Sequence, residues 1–361
     1  MIVLEKRPQP AQAWVIGGPV LAVLLTMIAG GAMFAALGKD PVEAIRIIFW
    51  DPLFSEQFAG YSRPQLLVKA GPLILIAIGL SLGFRAGIWN IGAEGQYIVG
   101  ALCGAAFGLA FWPSTHPLIF PGMLVAGLTG GVLWAMIPAL LRVYARTNEI
   151  LVSLLLVYVA EAMLASAATG WLRNPEGSGF PGSRNLARHA GTDNPELIAG
   201  TGMHLGVVAA FVAVIAAHVI MTRHILGYQI RLAGQAPRAA GFGGVNAGRL
   251  VILCMGVSGA LAGAAGLFEV AGPAGRISID FNVGYGFTAI IVAFLGRLNP
   301  IGILLAGLLM ALTFIGGELA QLMLGIPAPA IQAFQGMLLF FLLALDVMAN
   351  YRIRRKRGAL A

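Results

Sequence analysis

Long apolar runs, broken by short polar or Gly/Pro-rich stretches, dominate this chain. Ten such runs fall at roughly 13–37, 64–83, 94–111, 118–141, 150–170, 204–221, 249–271, 285–298, 300–323 and 330–350. An α-helix needs about 20 apolar residues to cross a bilayer core. The pattern therefore predicts an all-α, polytopic integral membrane protein with about ten transmembrane helices. The eighth run is short and predicts a tilted or broken helix. The first, Ala13 to Leu37, follows Lys6 and Arg7 as a signal-peptide core would. It is too long for that and lacks a convincing cleavage site, so it predicts a retained helix. The organisation expected is an N-terminal segment 1–12, one transmembrane domain 13–350, and a basic tail 351–361.

Charge orients the helices. With the N-terminus inside, 15 of the 23 Lys and Arg residues lie on the cytoplasmic side, including the run Arg352 to Arg357. This is the positive-inside bias, and it predicts N-in and C-in. Two connections are long: 172–203 outside, rich in Pro, Gly, Asn and Ser, and 222–248 inside, carrying Arg223, Arg231 and Arg238. The outer segment 39–63 mixes charges with Ile45, Ile47, Ile48, Phe49 and Trp50 and reads as an interfacial amphipathic helix. A faint internal echo pairs two Gly-rich breaks, Gly83 to Gly95 and Gly272 to Gly286. Paired breaks in two halves point to a transport site at the repeat interface.

Composition agrees. Hydrophobic residues make up 58% and charged residues 11% of 361, against about 25% charged in soluble domains. That excludes a soluble domain and bulk disorder. The net charge of +8 is scattered between apolar runs, which is no nucleic-acid footprint. The 49 glycines fall partly in small-residue stripes: Gly100, Gly104 and Gly108; Gly259 and Gly263; Ala262 and Gly266. Such spacing predicts close helix packing in lipid. Cys103 and Cys254 lie in apolar runs and read as small buried hydrophobes.

Candidate chemistry is sparse. The stretch Gly83-Phe84-Arg85-Ala86-Gly87-Ile88-Trp89-Asn90-Ile91-Gly92-Ala93-Glu94-Gly95-Gln96 interrupts the apolar pattern. One reading places Asn90, Glu94 and Gln96 near a translocation path, since irregular backbone at membrane depth lines cavities or is buried in protein. The other is a tight turn, with Asn90 as a cap and Glu94 favoured by a helix dipole. Acids within spans are costly and functional by default. Glu161 lies mid-span, whereas Glu269 and Glu318 lie nearer outer ends, where they reach water. No G-x-x-x-x-G-K-[ST] loop, zinc pair or Cys/His cluster occurs. No metal or cofactor is expected on this chain. ATP, if it drives transport, is hydrolysed by another chain.

The run Phe84 to Gln96 resembles the F-x-x-G-x-x-N-I-G-x-E-G-Q pattern of permease subunits of bacterial ABC importers, in the branch taking nucleosides and simple sugars. Thr147-Asn148-Glu149-Ile150 resembles the opening of that family's central helix. Gly227 to Gly241 resembles its cytoplasmic coupling segment. Gly286-Phe287-Thr288-Ala289-Ile290 through Leu295-Gly296-Arg297-Leu298-Asn299-Pro300-Ile301-Gly302 resembles a further family run. Trp89 departs from the family, where another apolar residue is common.

The resemblance implies a permease in the bacterial inner (plasma) membrane, pairing with a second permease as a homodimer or heterodimer. It implies cytoplasmic ATPase subunits and an extracytoplasmic solute-binding protein. It puts Arg231, Gly234, Gln235, Arg238, Ala239 and Gly241 in the segment that docks on the ATPase; the candidates for the path remain those read from the residues themselves, Asn90, Glu94, Gln96 and Glu161. Nucleosides are the expected substrate class, with simple sugars the alternative. A stand-alone secondary transporter or channel is the rival class, supported by Glu161 and the two breaks. The chain is not expected to be an enzyme.

Overall fold

The computed structural model describes residues 2–6 and 12–355. The ordered elements are β1 (Ile2–Lys6), α1 (Gln12–Ala36), α2 (Pro41–Phe49), α3 (Asp51–Phe54), α4 (Ala59–Arg85), α5 (Ala93–Ala110), α6 (Ile119–Ala145), α7 (Glu149–Thr169), α8 (Leu205–Arg223), α9 (Ile225–Gln235), α10 (Pro237–Phe242), α11 (Ala247–Val270), a 3₁₀ turn (Ile279–Phe281), α12 (Tyr285–Leu295), α13 (Pro300–Leu324), α14 (Ala328–Asn350) and β2 (Tyr351–Arg355). Each of the ten predicted runs is a helix. Eight of them (α1, α4, α6, α7, α8, α11, α13 and α14) are long and apolar enough to cross a membrane. The other two, α5 and α12, have 18 and 11 residues, so the eighth run is indeed a short helix.

Two compact units are present. The first comprises residues 1–63 and 312–361. Here α1 packs along α14, and the Phe34 and Phe334 rings stack with centroids 5.7 Å apart. Gly30 makes room for that ring: a Cβ there would lie 2.2 Å from Phe334. The amphipathic reading of 39–63 is met by α2, which Asp40 caps through the Val42 and Glu43 amides. Its Ala44, Ile47 and Ile48 face is buried. The tails form an antiparallel ribbon in which Glu5 lies opposite Arg352. Arg7, Lys356 and Arg357 lie outside the described residues.

The second unit, residues 64–311, is built on α5, α6 and α11. The predicted glycine stripes are their contact surfaces. A Cβ on Gly263 would lie 2.3 Å from the Gly127 carbonyl oxygen, and one on Gly100 would lie 2.2 Å from the Gly263 Cα. Gly131 from α6 completes the seam against the Gly259 carbonyl. Without the pull of water on apolar surface, such backbone proximity is what holds helices together in lipid.

The long connection 222–248, read from sequence as a loop, is largely helical: α9 and α10 occupy most of it. Its apolar positions explain this, since Ile230 and Ala240 turn inward and are buried. The 172–203 connection has no helix. It runs along the break between α11 and α12, where the Ser183 amide donates to the Ile277 carbonyl (2.8 Å) and the Leu186 amide to that of Gly275 (2.7 Å). The run Gly79-Leu80-Ser81-Leu82-Gly83 has the G-x-S-x-G spacing of a nucleophile elbow. It lies within α4, with Ser81 Oγ donating to the Ile78 carbonyl (2.8 Å), and so lacks the strand-to-helix turn that chemistry needs.

Candidate functional site: two broken helices joined by buried carboxylates

The first break, residues 86–92, links α4 to α5. Asn90 organises it. Asn90 Oδ1 accepts from the Gly92 amide (3.0 Å), a local turn that short polar side chains favour. Asn90 and Gln96 exchange amide hydrogen bonds: Nδ2 of Asn90 donates to Gln96 Oε1 (2.9 Å), and Nε2 of Gln96 donates to Asn90 Oδ1 (3.1 Å). Asn90 Nδ2 also donates to Ser258 Oγ on α11 (2.9 Å). All three side chains are buried. Buried polar groups are held by such partners because leaving one unpaired costs about 1–3 kcal/mol.

Glu94, in the first turn of α5, is fully buried. It serves a different helix from its own. Its Oε2 accepts the amides of Gly286 and Phe287 (3.1 Å for Phe287), which are in the first turn of α12. Helix N-termini carry free N–H groups and a partial positive charge, and a carboxylate satisfies both. The approach needs a glycine: a Cβ on Gly286 would lie 2.3 Å from the Glu94 nitrogen. The two breaks paired by the sequence echo therefore meet each other.

Glu161 on α7 converges on the same segment. Its Oε1 accepts from Asn282 Nδ2 (3.0 Å), and Asn282 Oδ1 accepts the Gly284 amide (3.2 Å). Glu94 and Glu161 thus hold residues 282–287 from two helices. Glu269, expected to reach water, is instead buried on α11, whereas Glu318 is exposed. Trp89 stacks near Phe84 (5.1 Å between centroids) and Phe294 (5.9 Å), closing one side of the first break.

The other quoted motifs have local structural work. Asn148 Oδ1 caps α7 through the Ile150 amide (2.9 Å), and Glu149 pairs with Arg142. Asn299 Oδ1 caps α13 through the Ile301 amide (3.0 Å) behind a tight turn, where a Cβ on Gly296 would lie 2.4 Å from the Ile303 nitrogen. Arg85 Nε donates to the Leu298 carbonyl (2.8 Å), tying that turn to the end of α4.

The six residues of the expected coupling segment divide. Arg231 donates to the Met221 carbonyl at the end of α8, within the chain itself. Gly234 abuts α4: a Cβ there would lie 1.9 Å from the Arg85 carbonyl oxygen. Gln235, Arg238, Ala239 and Gly241 are exposed, as is Phe242, 94% accessible at the end of α10. A cleft of about 220 Å³ lies between this segment and the first break, lined among others by Ala86, Ile88, Gly234, Pro237 and Gly241.

Sequence reasoning missed Ser258, Asn282 and Phe242. Ser258 sits one residue before the Gly259 stripe, and Asn282 precedes a Gly-rich helix start; neither stands out as one polar residue among others. Phe242 between Gly241 and Gly243 was the readable signal, an aromatic in a polar, basic stretch. Among the described residues, no group of three or more His, Cys, Asp or Glu could hold a metal.

The comparisons with known proteins bear on the same chain length. The family described as "Branched-chain amino acid transport system / permease component" matches residues 63–343. The glucose ABC transporter permease protein TsgB13 of Haloferax volcanii is 35% identical over 94% of this chain and 90% of its own length. The nucleoside ABC transporter permease protein NupB of Lactococcus lactis is 26% identical over 90% of this chain and 89% of its own. The guanosine ABC transporter permease protein NupP of Bacillus subtilis is 26% identical over 95% of each. No solved structure matches. The matched span takes in both broken segments, the clamp between them and the α9–α10 segment, and this chain belongs to the family of branched-chain amino acid transport system permease components, as a membrane permease subunit of ABC transporters.

Proposed function

We propose that this chain forms the translocation path of an importer for nucleosides or a related small polar solute. The observation that carries this is the likeness, over nearly its whole length, to permeases named for nucleosides and guanosine. Simple sugars are the second reading, favoured by the 35% identity to a permease named for glucose. Both solute classes are rings bearing several hydroxyls.

ATP is hydrolysed by separate cytoplasmic subunits, a solute-binding protein delivers from the other side, and a second permease, identical or related, completes the path. The chain sits in the bacterial plasma membrane with both ends inside, as its basic residues favour. The exposed part of α9–α10, with Arg238, Ala239, Gly241 and Phe242, meets the ATPase. ATP-driven closure of that pair shifts the permease between outward- and inward-facing states. Asn90, Glu94, Gln96 and Glu161 hold the two breaks beside the path.

The test is reconstitution with the products of neighbouring genes in proteoliposomes, measuring ATP-dependent uptake of labelled guanosine and of glucose. Uptake of one of them only with ATPase and binding protein present is the expected result. Flux through this chain alone, driven by an ion gradient, would overturn the reading.

A further inference from the structure

Beneath the start of α12, four elements bring together two carboxylates and three aromatic rings. Tyr97 on α5 stacks against Phe281 of the 3₁₀ turn, centroids 5.3 Å apart and planes within 12°. The Tyr285 ring of α12 meets Tyr97 edge-on at 5.9 Å. Glu94 lies one turn before Tyr97 on α5, and α11 approaches closely here: a Cβ on Gly266, one turn before Glu269, would lie 2.1 Å from the Tyr97 carbonyl oxygen. All five residues are buried, with Glu94, Tyr97 and Tyr285 at 0% exposure.

Two polar atoms in this cluster stand out. The Tyr97 hydroxyl and Glu94 Oε1 find no hydrogen-bond partner among the described residues. The other Glu94 oxygen is fully used on the α12 amides. Orphaned buried polar atoms are rare and call for an explanation in function. Here an acceptor oxygen and a donor hydroxyl lie one helical turn apart on α5, beside the Phe281 and Tyr285 rings that meet Tyr97. Carboxylates accept from ring hydroxyls, and aromatic faces cover the apolar side of a planar or pyranose ring.

The geometry points to Glu94, Tyr97, Glu269, Phe281 and Tyr285 as a binding site for a hydroxyl-bearing ring solute, closed in this conformation and reading the solute's hydroxyls as it passes. The site rests on the import reading above. Its door is residues 282–287, the segment held by Glu94 and, through Asn282, by Glu161. Opening the site and releasing the α12 start are then one motion. The permease itself discriminates among solutes, in addition to whatever the binding protein selects.

The experiment uses the whole transporter in proteoliposomes at saturating binding protein, so that delivery does not differ between solutes. Uptake is compared within a pair, guanosine with 2′-deoxyguanosine or glucose with 2-deoxyglucose, whichever pair the native complex imports. The native complex prefers the solute with the extra hydroxyl. Tyr97→Phe, which removes only the hydroxyl, shrinks that preference by about tenfold, the scale of one polar contact, and Glu269→Gln shrinks it too. Should Tyr97→Phe not assemble, Tyr285→Phe gives the same readout from the facing helix. A native complex without preference overturns the site, as does a variant that slows both solutes equally with the preference intact. A native complex that imports none of the four solutes overturns the import reading instead.

Discussion

Glu94 accepts the backbone amide of Phe287 at 3.1 Å, across 193 residues of chain. A carboxylate at the start of one helix thereby caps the start of another. Replacing it by Ala leaves the Gly286 and Phe287 amides buried and unpaired. We expect Glu94→Ala to destabilise the protein by about 2–4 kcal/mol, seen as a lower thermal midpoint in detergent. Glu94→Gln keeps an acceptor oxygen and loses less.

The amide pair of Asn90 and Gln96 gives a second prediction. Asn90→Asp retains the acceptor for the Gly92 amide but removes both donors, to Gln96 and to Ser258. It should cost about 1–3 kcal/mol, whereas Ser258→Ala, which leaves Asn90 its bond to Gln96, should cost less. Thermal unfolding of the two variants side by side checks the order.

Gly263 sets the α6–α11 contact. Gly263→Ala places a methyl against the Gly127 carbonyl, and overpacking of this kind costs about 1–3 kcal/mol. Ala at Gly241, where nothing lies within 4 Å of a built Cβ, should be silent. Unfolding midpoints in one detergent compare the two.

For coupling, the choice of position matters. Gly234→Glu collides with the Arg85 carbonyl, so it should lower the yield of folded protein. Ala239→Glu and Phe242→Ala touch only exposed surface. These should insert normally and lower solute-stimulated ATP hydrolysis in the reconstituted complex several-fold, as the loss of an aromatic anchor does at other interfaces.

His204 precedes α8, and its Nδ1 accepts the Gly206 amide (3.1 Å) while lying 2.9 Å from Asn194 Nδ2. Burial pushes the imidazole down from 6.5 to about 4, against the opposing pull of Glu196. The unfolded chain therefore takes up a proton below pH 6.5 that the folded chain refuses until about pH 4. Stability should fall through that window, by at most about 3 kcal/mol, and stay level on the neutral side. His204→Asn, which keeps a capping side chain without the titration, should flatten the midpoint-against-pH curve.

The helices were readable because each is a run of apolar residues, and lipid demands no more than that. The clamp was not. Asn90, Glu94 and Gln96 stood out as polar residues in an apolar stretch, but the partner of Glu94 is a pair of backbone amides, which leave no side-chain signature. The α9–α10 segment read as a loop because its glycines and arginines outweigh Ile230 and Ala240, whose burial supports the helices. Glu269 read as solvent-facing from its place near a helix end, yet it is buried, a burial set by the packing of α11 rather than by its position in the run.

The pairing of α1 with α14 has a consequence for biosynthesis. Almost the whole chain separates the two helices. At about 5–20 residues per second of synthesis, α1 waits on the order of 15–60 s in the bilayer before its partner emerges. Lipid tails are as apolar as an aliphatic side chain, so Phe34 can await Phe334 there without exposing apolar surface to water. The residues 64–311 are synthesised by then, so the α1–α14 contact can form only after the segment between them has been made.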